Sequence, residues 1–398
     1  MPLHDPAHAF VPYPDVAVAR AGTGPLAELS FGVKDLFDVA GYPTGGGSPT
    51  VLAMSGIKTR SAPTVQKLLD AGARFVGKTV TDELAFSMNG NNAHFGAPIN
   101  GAAKDRITGG SSSGSASAVS SGLCDFAIGT DTGGSVRAPA NHCGLYGLRP
   151  THGRISLEGA LDLAPSLDSC GWFARDIGTF ARVADVLLGA DTAALPATVR
   201  LLWPQDVWAL LAPVVTQALA AAAQRVQSVL GQAAPVQQVA LESWDAMYWS
   251  FRYVQGREAW LTDGALIERY APPLGPGVAE RFAWSRNVSD EQVGMARAFR
   301  VAFRARLAQI LGSDGVLLMP SMPDIAPLRS ATESSLEDYR NAATRLLCIA
   351  GLSGFPQLSM PLARREGAPL GMSLLGPAGS DRSLIALAER LGDQGTLP

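Results

Sequence analysis

The chain has 398 residues, 47% of them apolar and only 17% charged, with 43 glycines and 27 prolines. That balance excludes a disordered or coiled-coil chain and suits a large buried sheet joined by many loops. With a net charge of −3 and scattered lysines and arginines, there is no footprint for nucleic acid or an anionic membrane surface.

Four cysteines, Cys124, Cys143, Cys170 and Cys348, lie in apolar or glycine-rich surroundings without a C-x-x-C pair. They read as buried thiols of a reducing compartment, not as disulfides or zinc ligands. No metal and no cofactor is expected. The N-terminal residues show no basic segment followed by an apolar one, and no run approaches about 18 uninterrupted apolar residues. The expectation is a cytoplasmic protein, without membrane association, acting on a small, roughly neutral molecule.

In chain order, residues 1–25 form an extended lead-in rich in Pro, Ala and His. Ser30 to Val39 alternate as a strand, with Phe31, Val33 and Asp35 on one face and Gly32, Lys34 and Leu36 on the other. The spacing predicts a helix over Thr64–Gly72, a strand over Arg74–Val80, and a short helix over Thr-Asp-Glu-Leu-Ala-Phe-Ser-Met, opened by Thr81. Further on, helices are predicted at Ser113–Ser121 and Asp176–Leu188, the latter capped by its aspartate, with strands at Asp125–Gly129 and Val199–Trp203. Long helices follow at Leu211–Leu230 and Ser289–Leu311, then strands at Val316–Met319, Gln357–Ala363 and Leu370–Leu375, and a last helix at Ser380–Leu391. Such alternation argues a layered α/β architecture. With no repeat, linker or clean boundary, residues 1–398 read as one domain with a helical region at about 205–312.

The chemistry concentrates in two glycine-rich turns. Gly109-Gly110-Ser111-Ser112-Ser113-Gly114 runs directly into a helix, and Gly129-Thr130-Asp131-Thr132-Gly133-Gly134-Ser135 ends a strand. Glycines let the backbone of such a turn approach a ligand, so that its N–H groups face a developing oxyanion, with Ser135 the natural nucleophile. Serine needs a base, and the only unusual base among these elements is Lys34. The first turn lacks the G-x-x-x-x-G-K-[ST] of a phosphate loop. It formally matches G-x-S-x-G at Ser112, but that elbow needs an acid and then a histidine downstream, and the only histidines after it, His142 and His152, lie within about forty residues. Asp131 and Arg137 flank the nucleophile and read as a brace for the turn in preference to direct chemistry. His94 reads as a loop or core histidine.

Taken together, Gly32-Val33-Lys34-Asp35, the serines after Gly109-Gly110, the G-T-D-x-G-G-S ending at Ser135, Pro139 and Leu167-Asp168-Ser169-Cys170-Gly171 resemble the amidase signature family. The resemblance is densest over 29–176, returns at 317–320 and 351–371, and is weakest over 195–300. Within the family, the segments FGVKDLFDVAGYPTGGGSP and GGSSSGSASAV look most like compact indole-3-acetamide hydrolases. Ser113 and Cys170 stand where the family often has glycine and threonine.

The resemblance implies a large mixed sheet flanked by helices on both faces, and a triad of Lys34 as base, Ser111 as relay after a cis peptide bond, and Ser135 as nucleophile. It implies an oxyanion hole from the N–H groups of Thr132, Gly133, Gly134 and Ser135, with Ser112, Asp131 and Arg137 in support. Met88 and Asn89 border the acyl pocket by resemblance alone. The implied reaction turns a small primary amide into acid and ammonia, with an arylacetamide such as indole-3-acetamide as leading substrate. Ureido, carbamate or aliphatic amide hydrolysis, an ammonia-generating subunit and an idle scaffold are the alternatives, and a homodimer is compatible with all of them. A free lysine is neutral less than about 0.1% of the time at pH 7, so a lysine base costs about 4–5 kcal/mol unless burial lowers its pKa. The aromatics Trp244, Tyr248, Trp249, Phe251, Tyr253 and Trp260 fit either a helix face packed on the core or a flat acyl pocket.

Overall fold

Ten strands assemble into one mixed sheet in the computed structural model, which describes residues 4–392. Residues 1–3 of the expected lead-in lie outside the described residues. The first half of the chain supplies β1 (Ser30–Lys34), α1 (Pro49–Ser55), α2 (Pro63–Asp70), β2 (Arg74–Thr79), α3 (Ser113–Ser120), β3 (Phe126–Thr130), α4 (Arg137–Cys143), β4 (Tyr146–Arg149), β5 (Cys170–Ala174) and α5 (Ile177–Leu187). The second half supplies β6 (Arg200–Pro204), α6 (Gln205–Trp208), α7 (Pro213–Leu230), β7 (Ala234–Val236), α8 (Trp244–Tyr270), α9 (Val278–Arg286), α10 (Asp290–Leu311), β8 (Gly315–Pro320), α11 (Glu333–Ser353), β9 (Gln357–Arg365), β10 (Ala368–Leu375) and α12 (Asp381–Gly392). The strand order is β2-β1-β3-β5-β4-β9-β10-β8-β6-β7. Pairing is parallel at β2-β1-β3 and at β8-β6-β7, and antiparallel through the middle.

Local chemistry explains several element ends. Asp176 accepts from Thr179 N at 2.7 Å and caps α5. Ser289 and Gln292 satisfy each other's backbone N–H groups at the start of α10, a reciprocal cap. Proline opens α2 and α7, where its missing N–H has no cost.

Both sheet faces are covered. Phe31, Val33, Phe126, Ile128 and Trp172 point into the larger core, which also takes in α2 and α5. Ala127 and Phe173 point the other way, into a second cluster with Ala116 and Val119 of α3 and Ala140 of α4. The small residues on this second face bring α3 close to β1 and β3, and the catalytic candidates lie there. Beyond the sheet, α8 packs against α9, α10 and α11. No helix among the described residues is long and apolar enough to cross a membrane.

Four expectations need correction. The predicted strand from Ser30 to Val39 stops at Lys34, because Leu36 N and Phe37 N turn back onto Lys34 O. The helix expected after Thr81 is a single 3₁₀ turn, Glu83–Ala85, with Leu84 and Ala85 at φ of 49° and 56°. Leu84 N bonds Gly46 O and Glu83 Oε2 receives Gly275 N, so distant chain takes polar groups that a continuing helix would have used. The stretch 205–312, expected as helical, also contributes the edge strand β7. Finally, β4, β5, α1, α4 and α11 were not among the predicted elements.

Candidate active site

Alternation along β1 sends Lys34 away from Phe31 and Val33, toward α3 and the end of β3. Its side chain is fully buried, and Nζ lies 2.7 Å from Ser111 Oγ and 2.8 Å from Thr130 Oγ1. Burial pushes the amine down from 10.5 to about 7, against the opposing pull of Asp82, Asp168 and Asp131. The neighbouring Asp35 faces elsewhere, paired with Lys78 at 2.8 Å and receiving the Tyr13 hydroxyl.

The serine turn is anchored on both sides. The Gly110–Ser111 peptide is cis. Ser111 O accepts from Asp82 N and Thr81 Oγ1, each at 3.0 Å, while Gly110 N donates to Met88 O at 2.8 Å. Ser112 Oγ donates to Thr130 O at 3.2 Å, and Ser112 N donates to Ser135 O at 3.4 Å, which ties the two glycine-rich turns together.

The second turn is wrapped around one carboxylate. Asp131 accepts from Arg137 Nε and Nη2, Arg149 Nη1, Gly134 N and Val136 N, all within 3.1 Å. Burial by itself would raise this carboxyl, but Arg137 and then Arg149 overrule it and hold it well below the usual carboxylate range. Gly134 adopts φ of 121°, and a Cβ there would come within 2.3 Å of Leu347 Cδ1. Its N–H is aimed at Asp131 Oδ1 at 3.0 Å, so Gly134, expected as an oxyanion donor, is occupied by the brace. The neighbouring Thr132 hydroxyl donates to Asp168 Oδ1 at 2.5 Å.

Ser135 is 5% exposed and Ser111 and Lys34 are fully buried. A cavity of about 20 Å³ opens beside Ser135, bordered also by Met88, Gly133, Phe251, Gln255 and Arg340. It holds about one water. Met88 borders this cavity and Asn89 does not. Of the aromatics between 244 and 260, Phe251 alone reaches it. Trp249 is 43% exposed and stacks with Tyr253, Tyr248 donates its hydroxyl to Asn341, and Trp260 lies under Arg286. A larger groove of about 480 Å³, beside Tyr13, Arg74 and Lys78, touches none of the triad candidates.

Several contributors were missed from sequence. Thr130 holds the lysine, Asp82 supports the serine turn, and Arg149 and Asp168 complete the network around the second turn. Thr130 had a signal, since it stands inside the second glycine-rich turn; Asp82 had none, because its segment reads as helix. The histidines stay apart: His94 contacts Glu83, His152 contacts Pro165 O, and His142 bonds the Tyr339 hydroxyl with its pKa lowered by burial to about 3.

Known proteins share this arrangement of chain. The family model for amidases matches residues 13–385. Amidase 1 of Arabidopsis thaliana is 38% identical, with 96% of this chain and 97% of that protein aligned, and Amidase 1 of Oryza sativa is 35% identical over 92% and 90%. A crystal structure of an amidase superposes with a TM-score of 0.84 at 30% identity, covering 94% of this chain and 86% of the other. The chain belongs to the amidase signature family, hydrolases that act on amide C–N bonds.

Proposed function

We propose that the protein converts a small linear amide to a carboxylic acid and ammonia through an acyl-enzyme on Ser135. The observation that carries this is a fully buried Lys34 amine 2.7 Å from Ser111 Oγ, brought down to about 7 by that burial. With that value about half of the molecules hold a neutral amine at pH 7. Neutral Lys34 takes the Ser111 proton, Ser111 takes that of Ser135, and Ser135 Oγ bonds to the amide carbon. The N–H groups of Thr132, Gly133 and Ser135 receive the oxyanion, each such donor contributing about 3 kcal/mol. Collapse breaks the C–N bond, the nitrogen leaves with the proton returned through Ser111, and water releases the acid by the same route.

Support for an arylacetamide such as indole-3-acetamide comes only from Phe251 at the cavity wall. The test is a panel of primary amides with ammonia readout on the purified chain, paired with mass mapping of a fluorophosphonate adduct. Turnover lost by more than about 10³-fold in Ser135→Ala, with the adduct on Ser135, is expected. Retention of a tenth of the wild-type rate by that variant would remove the mechanism.

A further inference from the structure

Positive charge gathers beside the cavity that Ser135 borders. Arg340 of α11 lines it, and Arg281 of α9 and Arg252 of α8 stand nearby; burial first, and then the neighbouring guanidiniums, lower the proton affinity of Arg281 and Arg340. All three are more than nine-tenths buried. The carboxylate paired with them is Glu337, 3.0 Å from Arg340 and 3.9 Å from Arg281, and its side chain is 46% exposed. Arg281 Nε also donates to Phe86 O, a structural bond that positions the cavity edge. Arg252 donates to the Tyr248 hydroxyl and lies over Trp284 at 4.8 Å, while its Nε is buried with no hydrogen-bond partner. Buried cations are costly unless an anion meets them; Glu337 on the rim and Asp82, whose charge also acts on Arg281, still number fewer than the three guanidiniums.

Resting on the acyl-enzyme function above, we propose that the preferred substrate carries a carboxylate on its acyl portion, gripped by Arg340 at the end of the cleft away from Ser135. The substrate class is the monoamide of a short dicarboxylic acid. Arg340 sets specificity, Arg281 and Arg252 supply the field behind it, and Gln255 with Met88 confines the chain between the two ends.

The experiment compares kcat/KM of the full chain for succinamate and for butyramide, its neutral counterpart of similar length, with indole-3-acetamide as the aromatic arm. Wild type should prefer succinamate by at least about 10-fold, and Arg340→Gln should lower the succinamate-to-butyramide ratio by about 100-fold, with Arg340→Lys between them. In wild type, succinate should inhibit butyramide hydrolysis competitively and less well in high salt, a measurement that needs no folded variant. A ratio unmoved by Arg340→Gln, better turnover of butyramide or indole-3-acetamide, or no inhibition by succinate overturns the carboxylate proposal while Ser135-dependent hydrolysis stands. If no amide is turned over and Ser135 takes no fluorophosphonate, both fall together.

Discussion

Asp131 and Arg137 form a fully buried ion pair, Oδ1 to Nη2 at 2.8 Å, that closes the backbone ring carrying Ser135. The same carboxylate holds Arg149, so one anion serves two buried guanidiniums and three backbone N–H groups. Removing its charge leaves both cations uncompensated, which costs about 3–5 kcal/mol. Asp131→Asn should therefore lower the thermal midpoint by roughly 4–6 °C as well as the rate. Calorimetry showing a midpoint within about 2 °C of wild type would contradict the bracing role. Because its pKa is depressed in the folded state, Asp131 contributes its stabilisation above the ordinary carboxylate range, and this is lost only as pH falls well below it.

Lys34 sets the pH dependence of the proposed reaction. The base must be neutral, so kcat/KM for a neutral amide should rise tenfold per unit below pH of about 7 and level off above it. A flat profile from pH 5.5 to 9 would show that Lys34 is not the titrating base.

The same lysine should weigh against stability. Its folded pKa, about 7, lies below the unfolded value, so between the two the unfolded chain binds more protons and stability climbs as pH rises. Lys34→Met should abolish activity yet raise the thermal midpoint at pH 7, with the gain shrinking toward pH 10. Equal midpoints at pH 7, or a gain that grows with pH, would refute this.

Ser111 and Ser112 are neighbours with different tasks. Ser111 Oγ meets the lysine, whereas Ser112 Oγ donates to Thr130 O. Ser111→Ala should cost more than about 10²-fold in kcat, and Ser112→Ala less than about 10-fold, since removing one neutral hydrogen bond costs about 1 kcal/mol. Kinetics of the two variants on one amide decide it, and equal losses would void the assignment.

Gly129 gives a steric test. A Cβ at this position would stand 2.5 Å from Ser112 Oγ and 2.8 Å from Ser112 Cβ. Gly129→Ala should push the serine turn off β3, lowering kcat by more than about 10²-fold while leaving a folded protein by circular dichroism. An unaffected rate would mean that the turns tolerate separation.

Much of the fold was legible where period and capping agree. Asp176 and Ser289 marked the starts of α5 and α10, and the strands around Ile128, Leu318 and Leu374 read as apolar runs. Tyr146–Arg149 and Cys170–Ala174 did not, because both strands are buried on each face, are only four and five residues long, and show no alternation. The helix Glu333–Ser353 had a readable cap in Thr332, which accepts from Ser335 N, and was missed all the same. In the site, residue types pointed to Lys34, Ser111 and Ser135, while the hydrogen-bond direction that diverts Gly134 from the oxyanion lies in no local pattern.

By itself, the sequence determined the residue types of the chemistry and the alternation that turns Lys34 away from the core-facing Phe31 and Val33. Only the tertiary structure decided depth and charge. Parallel pairing of β1 with β3 sets the lysine against Thr130 and beneath Ser111, with Ser135 alone at the cavity. Helices α8, α9 and α11 bring Arg252, Arg281 and Arg340 near one another from widely separated positions. The physical reason is range: side-chain period is local, whereas the field and solvent access of a buried group come from whichever distant elements pack around it.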